Sequence, residues 1–252
     1  MVLKKTLLFI LVLLGSSSCA TYQHHIPTKA FVKVIKTINI LECQKESTTC
    51  KPGTYTSTGS GSIIKTNKDN SYILTAGHVC ETHITPIAFQ EIQSFKIEVY
   101  VLDYTNKITS SEVLAVSDLK KSQTDLCLLK TKALDHRGIA IARYNPRIGQ
   151  KLYSMGSPAG IYHPPTVPIF MGLFSGPMPD GKNFLSTVPA VGGSSGSAIL
   201  NEDMRIVGVL FATHPAFNNV TISTNLEQIK IFLNKHLFVS RKIERKAYTS
   251  RR

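Results

Sequence analysis

Three side chains of this sequence are of the types that nucleophilic attack on a carbonyl carbon requires. His78 stands in Leu-Thr-Ala-Gly-His-Val, Asp125 in Thr-Asp-Leu-Cys-Leu-Leu, and Ser195 in Gly-Gly-Ser-Ser-Gly-Ser-Ala. A serine hydroxyl becomes a useful nucleophile only when a neighbouring base takes its proton. Histidine suits that task because its ordinary pKa lies near neutrality, and a buried carboxylate can hold the imidazole in the required tautomer. Each of these tasks therefore has one candidate side chain.

Glycines on both sides of Ser195 indicate a tight backbone turn. Gly193 and Gly196 permit backbone angles that direct the Gly193 and Ser195 N–H groups towards one point. Two such donors would stabilise a developing oxyanion, and the loss of one costs a rate factor of about 10²–10³. A Gly/Ser-rich run can also be a flexible linker. Here, however, apolar residues of 188–191 and 198–200 flank the run directly, which places it inside a core segment.

The elements that must position these residues are predicted to be short strands. Apolar runs are broken by Gly, Pro, Asn and Ser at intervals typical of all-β folds. Only Leu226–Phe238 has helical spacing, with Asn225 as its N-cap. Many short strands and one terminal helix favour a barrel or sandwich architecture. A boundary between two halves is expected around residues 134–146.

The three motifs and their order resemble the trypsin-like (chymotrypsin-fold) serine proteases. The bacterial branch of glutamyl endopeptidases and Deg-type enzymes fits best, because Tyr153–Pro158 (Tyr-Ser-Met-Gly-Ser-Pro) matches a strand that ends in Gly-x-Pro there. The resemblance covers Phe31–Leu237. It implies an all-β fold of two antiparallel six-stranded β-barrels, over 31–135 and 146–237, with a terminal α-helix in the second.

The resemblance also implies a function. It assigns a catalytic triad to His78, Asp125 and Ser195, an oxyanion hole to the Gly193 and Ser195 amides, and peptide hydrolysis through an acyl-enzyme. Protein or peptide substrates are then the expected partners, and no cofactor is expected. The alternative is a catalytically silent trypsin-fold module that binds a partner. Such modules usually lack a triad residue, and none is missing here.

The substrate pocket follows from matching residues of the same family. Its base is expected at Pro189, six residues before the nucleophile, and one wall at Phe211, Ala212 and Thr213. Trypsin itself has an acidic residue at the base, so a preference for Arg or Lys is disfavoured. Small or apolar substrate side chains are the first expectation. Glutamate is the second, because Thr213 and the adjacent His214 resemble the wall of glutamyl-specific relatives.

The cysteines indicate disulfides rather than a metal site. Setting Cys19 aside leaves an even number, which three pairings could satisfy, and no cysteine pair has metal-ligand spacing. A short polar stretch makes the union of Cys43 and Cys50 easy. Each of the other two cysteines lies two residues after a proposed triad residue, and the triad would bring them together as Cys80–Cys127. Buried free thiols are the alternative.

The N-terminus has the pattern of an export signal. Two lysines precede the apolar run Leu7–Leu14, and small residues then lead to Cys19. The run is about half the ~20 residues of a spanning helix. Residues 1–19 are therefore predicted to be a signal peptide. Cys19 is either a lipidated first residue or near an ordinary cleavage site, which gives a periplasmic, membrane-anchored or secreted protein.

Composition and charge exclude several classes of protein. The 252 residues are 42% hydrophobic and 18% charged, which rules out a disordered, collagen-like or coiled-coil chain, and no second apolar stretch suits a polytopic membrane protein. The formal net charge is +13. Residues 238–252 form a basic tail that is predicted to be a solvated end. It lacks the interleaved aromatic residues of a nucleic-acid site, so no nucleic-acid partner is expected.

Overall fold

A computed structural model describes residues 25–45, 47, 50–81, 91–117, 119–214 and 216–238. The predicted signal peptide, Cys19 and residues 239–252 of the predicted basic tail lie outside the described residues. None of the helices described is long enough and apolar enough to cross a membrane.

Six antiparallel strands close the first barrel in the order β1-β2-β3-β6-β5-β4. They are β1 (Phe31–Cys43), β2 (Gly53–Thr66), β3 (Asn70–Thr75), β4 (Ile92–Leu102), β5 (Ile108–Val116) and β6 (Cys127–Lys132). Two four-residue helices interrupt them, α1 (Gly77–Cys80) after β3 and α2 (Leu119–Ser122) after β5. The strand β3 therefore leads directly into the helix that carries His78.

Six further antiparallel strands close the second barrel in the order β10-β11-β12-β9-β8-β7. They are β7 (Lys151–Met155), β8 (Ile169–Pro177), β9 (Asn183–Ser186), β10 (Ala198–Leu200), β11 (Ile206–His214) and β12 (Phe217–Asn225). Helix α3 (Leu226–Leu233) follows, and a π-helical turn, Asn234–Phe238, ends the described chain. The predicted fold class of two six-stranded barrels with a C-terminal helix is confirmed.

Strand alternation explains where the apolar residues are buried. In β1, Val32 and Val34 point into the first barrel, where they join a cluster with Ile63 and Ile73. The same cluster continues into the second half of the chain through Leu200 and residues of α3. A separate cluster fills the second barrel. The two barrels thus share apolar packing, which fixes the segments that meet between them.

Strand β12 is a strand that an alternation of apolar residues does not predict. Its sequence, Phe-Asn-Asn-Val-Thr-Ile-Ser-Thr-Asn, contains few apolar residues, yet Thr221, Ser223 and Thr224 are fully buried. The hydroxyls of Thr221 and Ser186, which face each other on the paired strands β12 and β9, lie 2.8 Å apart and form a buried hydrogen bond. A pattern of apolar residues cannot predict the burial of serine and threonine side chains. The helix that follows does begin as predicted, because the Asn225 side chain accepts a hydrogen bond from the Gln228 amide.

Candidate active site

The three candidate catalytic residues come from loops and ends of elements between the barrels. His78 lies on α1, Asp125 lies two residues before β6, and Ser195 lies in the loop between β9 and β10. The first two therefore belong to the N-terminal barrel and the third to the C-terminal barrel.

Asp125 holds His78 through two contacts. Its Oδ1 accepts a hydrogen bond from the His78 backbone amide at 2.8 Å, and its Oδ2 lies 2.5 Å from His78 Nδ1. The carboxylate is buried, whereas the His78 side chain is 33% exposed. A carboxylate in this position orients the ring through Nδ1 and does not occupy the other ring nitrogen, Nε2.

Gly77 makes room for that carboxylate. A Cβ at position 77 would lie 2.5 Å from Asp125 Oδ1 and 3.3 Å from the Leu126 amide nitrogen. Any side chain at this position would therefore push Asp125 away from His78. The glycine of the motif that precedes His78 is required by this close approach.

Asp125 is also tied to the second barrel. Its backbone amide donates to the Thr224 hydroxyl of β12 at 3.3 Å, and Thr224 is fully buried. The position of the carboxylate therefore depends on how the two barrels pack together.

Lys36 secures the other end of helix α1. This lysine is buried at an inward position of β1, and its ammonium donates to the carbonyls of His78, at 3.2 Å, and Glu81. Burial lowers the pKa of the Lys36 side chain, and the Glu81 carboxylate opposes that lowering. A cation at a helix C-terminus satisfies carbonyls that have no partner within the helix. Lys36 thus holds the main chain of His78 in place.

Both predicted disulfides are confirmed. Cys43 pairs with Cys50, with Cα atoms 5.9 Å apart, and Cys80 pairs with Cys127, with Cα atoms 6.4 Å apart. The second bond joins the last residue of α1 to the first residue of β6. It therefore fastens the segment that carries His78 to the segment that follows Asp125.

Removal of the Cys80–Cys127 bond is expected to cost more stability than removal of Cys43–Cys50. The two bonds span 47 and 7 residues, and a cross-link that closes a longer loop restricts the unfolded chain more. Chain entropy gives about 4 kcal/mol for the longer loop and about 2 kcal/mol for the shorter one. Denaturant unfolding of Cys80→Ala/Cys127→Ala and of Cys43→Ala/Cys50→Ala, the matched control, measures both. Equal losses would contradict the prediction.

Ser195 is placed by its backbone against the N-terminal barrel. Its carbonyl accepts a hydrogen bond from the Ser60 amide of β2 at 2.7 Å. Gly59 packs against both the Ser195 carbonyl and the Val79 side chain, so the loop of Ser195 and the helix of His78 meet at this strand. Within the described residues, no hydrogen bond joins Ser195 Oγ to the His78 ring. Such contacts are often long before substrate binds.

The backbone around Ser195 leaves two amides without acceptors. Gly193 has φ +90°, in the left-handed region, and a Cβ there would lie 2.4 Å from the Ser157 carbonyl oxygen. In the part of the chain that the structure describes, neither the Gly193 amide nor the Ser195 amide donates a hydrogen bond. These are the two donors that the sequence analysis expected to serve an oxyanion.

The predicted pocket residues flank strand β12. Phe211, Ala212 and Thr213 are half-buried on β11, where a register shift between Leu210 and Ala212 marks a bulge. Pro189 is half-buried on the opposite side, next to Ala190, whose amide donates to the Asn218 carbonyl of β12. The structure therefore places both groups at the same end of the second barrel.

A separate cavity of about 540 Å³ contains none of these residues. Arg143, Gln150, Asn201 and Arg205 are among the side chains that line it. Among the residues described, no group of three or more His, Cys, Asp or Glu side chains is arranged to hold a metal ion.

Four residues that contact the site were missed by the sequence analysis: Lys36, Ser60, Ser157 and Thr224. Ser157 belongs to the Gly-Ser-Pro segment that was singled out only as a family feature, and Ser60 lies between two glycines of β2. The glycines around these serines were the available signal, because they indicate close approach of another backbone. Lys36 and Thr224 carry no such mark.

Comparison with known proteins agrees with this fold. The trypsin-like peptidase domain family matches residues 59–209 of the chain. The fold is similar to that in the crystal structure of the serine endoprotease from Yersinia pestis, with a TM-score of 0.58 and 19% sequence identity over 83% of this chain. The alignment covers 63% of the Yersinia chain, so this chain spans less than two thirds of that relative. No curated protein sequence matches this one.

Proposed function

Because the chain belongs to the trypsin-like peptidase family, we propose that it is an exported serine endopeptidase that acts through Ser195, His78 and Asp125. The observation that carries the proposal is the double contact of a buried carboxylate with the backbone and the ring of His78. A carboxylate in that position leaves one ring nitrogen free to act as a base. The nearby loop carries a serine and two amides that have no acceptor among the described residues.

In the proposed acylation step, Ser195 Oγ attacks the carbonyl carbon of the scissile peptide bond while its proton moves to His78 Nε2. The carbonyl oxygen becomes an oxyanion and accepts hydrogen bonds from the Gly193 and Ser195 amides. His78 then gives its proton to the leaving amine, and the C–N bond breaks. The products of this half-reaction are an ester of Ser195 and a free amine.

Deacylation repeats the same steps with water as the nucleophile. His78 takes a proton from water, the hydroxide attacks the ester carbon, and the oxyanion forms at the same two amides. Collapse of the intermediate returns the proton to Ser195 Oγ and releases a carboxylic acid. Asp125 orients the ring and stabilises the imidazolium in both half-reactions.

The substrate is proposed to bind as an extended peptide beside β11. Strand β10 pairs with β11 between Ile206 and Val209, so among the described strands the backbone of Phe211–Thr213 has a partner on one side, β12. An open strand edge recognises peptides through main-chain hydrogen bonds. A pocket with Pro189 at its base carries no charge there, which favours small or apolar side chains, with glutamate as the second candidate.

Labelling with a fluorophosphonate probe tests the proposed nucleophile. The probe reacts with serines that a base activates, so the wild-type protein is expected to take up one label and Ser195→Ala none. Ser223→Ala is the matched control, because Ser223 is a fully buried serine of β12 whose hydroxyl has no hydrogen-bond partner in the described part of the chain. It should label like the wild type. A folded wild-type protein that takes no label would instead favour the silent binding module.

Export is proposed on the signal pattern of residues 1–19 and is supported by the two disulfides. Such bonds persist in oxidising compartments such as the periplasm and the cell exterior. Lipidation of Cys19 would further anchor the protein to a membrane. Mass spectrometry of the mature N-terminus distinguishes a lipidated Cys19 from ordinary cleavage.

A further inference from the structure

The carbonyl groups of the loop Gly192–Ser195, here called the oxyanion loop, all have hydrogen-bond donors. The Gly192 carbonyl accepts from the Ala159 amide at 2.6 Å, the Ser194 carbonyl from the Ser197 amide at 3.0 Å, and the Ser195 carbonyl from the Ser60 amide at 2.7 Å. Each peptide plane is therefore fixed from its carbonyl side. The Gly193 and Ser195 amides lie on this fixed backbone and have no acceptor among the described residues.

The Gly193 carbonyl differs from the others because side chains bind it. Ser60 Oγ donates to it at 2.8 Å, and Ser157 Oγ lies 3.3 Å from it. Ser60 belongs to β2 of the first barrel, whereas Ser157 follows β7 of the second. Both serines are fully buried. One carbonyl of the oxyanion loop thus connects the two barrels through two hydroxyl groups.

The donors and acceptors of this pair are consistent with one another. Each serine has one hydroxyl proton. Ser60 Oγ gives its proton to the Gly193 carbonyl and accepts a hydrogen bond from the Ser157 amide at 2.9 Å. Ser157 Oγ has the Gly59 carbonyl at 3.1 Å as an alternative to Gly193. Ser60 is therefore the principal donor to Gly193, and Ser157 holds Ser60 and can partly replace it.

We infer that Ser60 and Ser157 are positioning residues. They hold the oxyanion loop in the conformation in which the Gly193 and Ser195 amides can stabilise the oxyanion. The inference rests on the proposed function. It concerns the contribution of two residues outside the triad to the rate of peptide hydrolysis. Rotation of the Gly193 carbonyl away from its donors would break these hydrogen bonds and take this acceptor from the fully buried Ser60 hydroxyl, which is costly. The hydroxyls therefore oppose a rearrangement of the backbone that directs the Gly193 and Ser195 amides towards the substrate oxygen.

A purely structural role makes a different prediction. Buried serines that only join the barrels would change the thermal stability on substitution, with no selective effect on the transition state. Ser62 is the matched control, because it lies two residues from Ser60 on β2 and is fully buried, and its hydroxyl has no hydrogen-bond partner among the residues that the structure describes. Ser62→Ala removes a buried hydroxyl without touching the oxyanion loop.

The test compares Ser60→Ala, Ser157→Ala, the double variant and Ser62→Ala in peptide hydrolysis. Loss of one hydrogen bond of this kind predicts a fall in kcat of about tenfold for Ser60→Ala and about threefold for Ser157→Ala. The double variant is expected to lose about 100-fold, close to the loss of one oxyanion donor. KM should stay within about twofold, because the hydroxyls bind no substrate.

A peptide boronate that adds to Ser195 provides a second measurement. Its tetrahedral adduct places an oxygen at the two amides, so its inhibition constant should rise in parallel with the fall in kcat. Thermal melts and circular dichroism check that each variant is folded. Ser157→Thr retains a hydroxyl, so its kcat should lie between those of Ser157→Ala and the wild type.

The possible results separate the two proposals. Active wild-type protein with Ser60→Ala and Ser157→Ala indistinguishable from Ser62→Ala in kcat and boronate affinity would overturn the positioning role alone. A lower thermal stability together with a higher KM, at unchanged kcat, would also overturn the positioning role. A folded wild-type protein that neither cleaves peptides nor takes the fluorophosphonate label would overturn the proposed function and, with it, this inference.

Discussion

Ser195→Ala is expected to lower kcat for peptide hydrolysis by about 10⁶-fold, and His78→Ala by a similar factor. Without the hydroxyl there is no nucleophile, and without the imidazole nothing takes the hydroxyl proton. Because the two residues act in one step, the double variant should lose little more than either single variant. The residual rate would come from substrate binding and from the Gly193 and Ser195 amides.

Peptide hydrolysis by the two single variants and the double variant measures this prediction. Ser223→Ala, the buried serine of β12, is the control for purification and folding and should retain the wild-type rate. The disulfide Cys80–Cys127 and the Lys36 contacts hold helix α1 independently of the His78 ring, so His78→Ala should remain folded. Losses that multiply in the double variant would show that Ser195 and His78 do not act as one unit.

The strands of this fold could be predicted where their apolar residues alternate. Alternation in β1 is a local property, since the geometry of a strand places Val32 and Val34 on the same face. The pattern fails where burial depends on a partner. Thr221 is buried because the Ser186 hydroxyl pairs with it. The residues around Thr221 in the sequence give no indication that Ser186 is its partner.

In the candidate site, too, some contacts could be predicted from positions in the sequence, whereas others depend on partners that only the fold supplies. The pairing of Cys80 with Cys127 could be predicted because each follows a proposed triad residue by two positions, so one contact implies the other. Lys36 follows the inward alternation of β1, yet a lysine in a strand is ordinarily expected on the outside. Its burial depends on the carbonyls at the end of α1, which only the closed barrel supplies.

The contact between Ser60 and Ser157 is the part of the site that could least be predicted from the sequence. The residues are 97 positions apart and belong to different barrels. Their meeting requires the register of β2, the turn after β7 and the packing of both barrels to be correct together. Local propensity carries none of this information, so a single sequence could indicate only that the glycines beside them allow a close approach.

Asp125→Asn is expected to lower kcat by about 10⁴-fold while leaving the fold intact. An amide has nearly the shape of a carboxylate, but it offers one accepting oxygen and one donating NH₂ group. If its oxygen accepts from the His78 backbone amide, as Asp125 Oδ1 does, its NH₂ group faces His78 Nδ1. The ring must then carry its proton on Nε2, which is the atom that has to accept the proton of Ser195.

Steady-state hydrolysis, the rate of fluorophosphonate labelling and the thermal melt together test this account. Asp103→Asn is the matched control, because Asp103 is also a buried carboxylate, and its Oδ1 accepts hydrogen bonds from Thr105 and Lys107 instead of His78. The control should retain kcat, so any effect of its substitution is expected on stability alone. Asp125→Asn should retain stability, lose both rates in parallel, and lose the downfield proton signal of a His78 Nδ1–H bonded to a carboxylate. If the variant kept more than about a tenth of the wild-type kcat, a tautomer effect of the expected size would be excluded, and the contact of Asp125 with the ring would be structural.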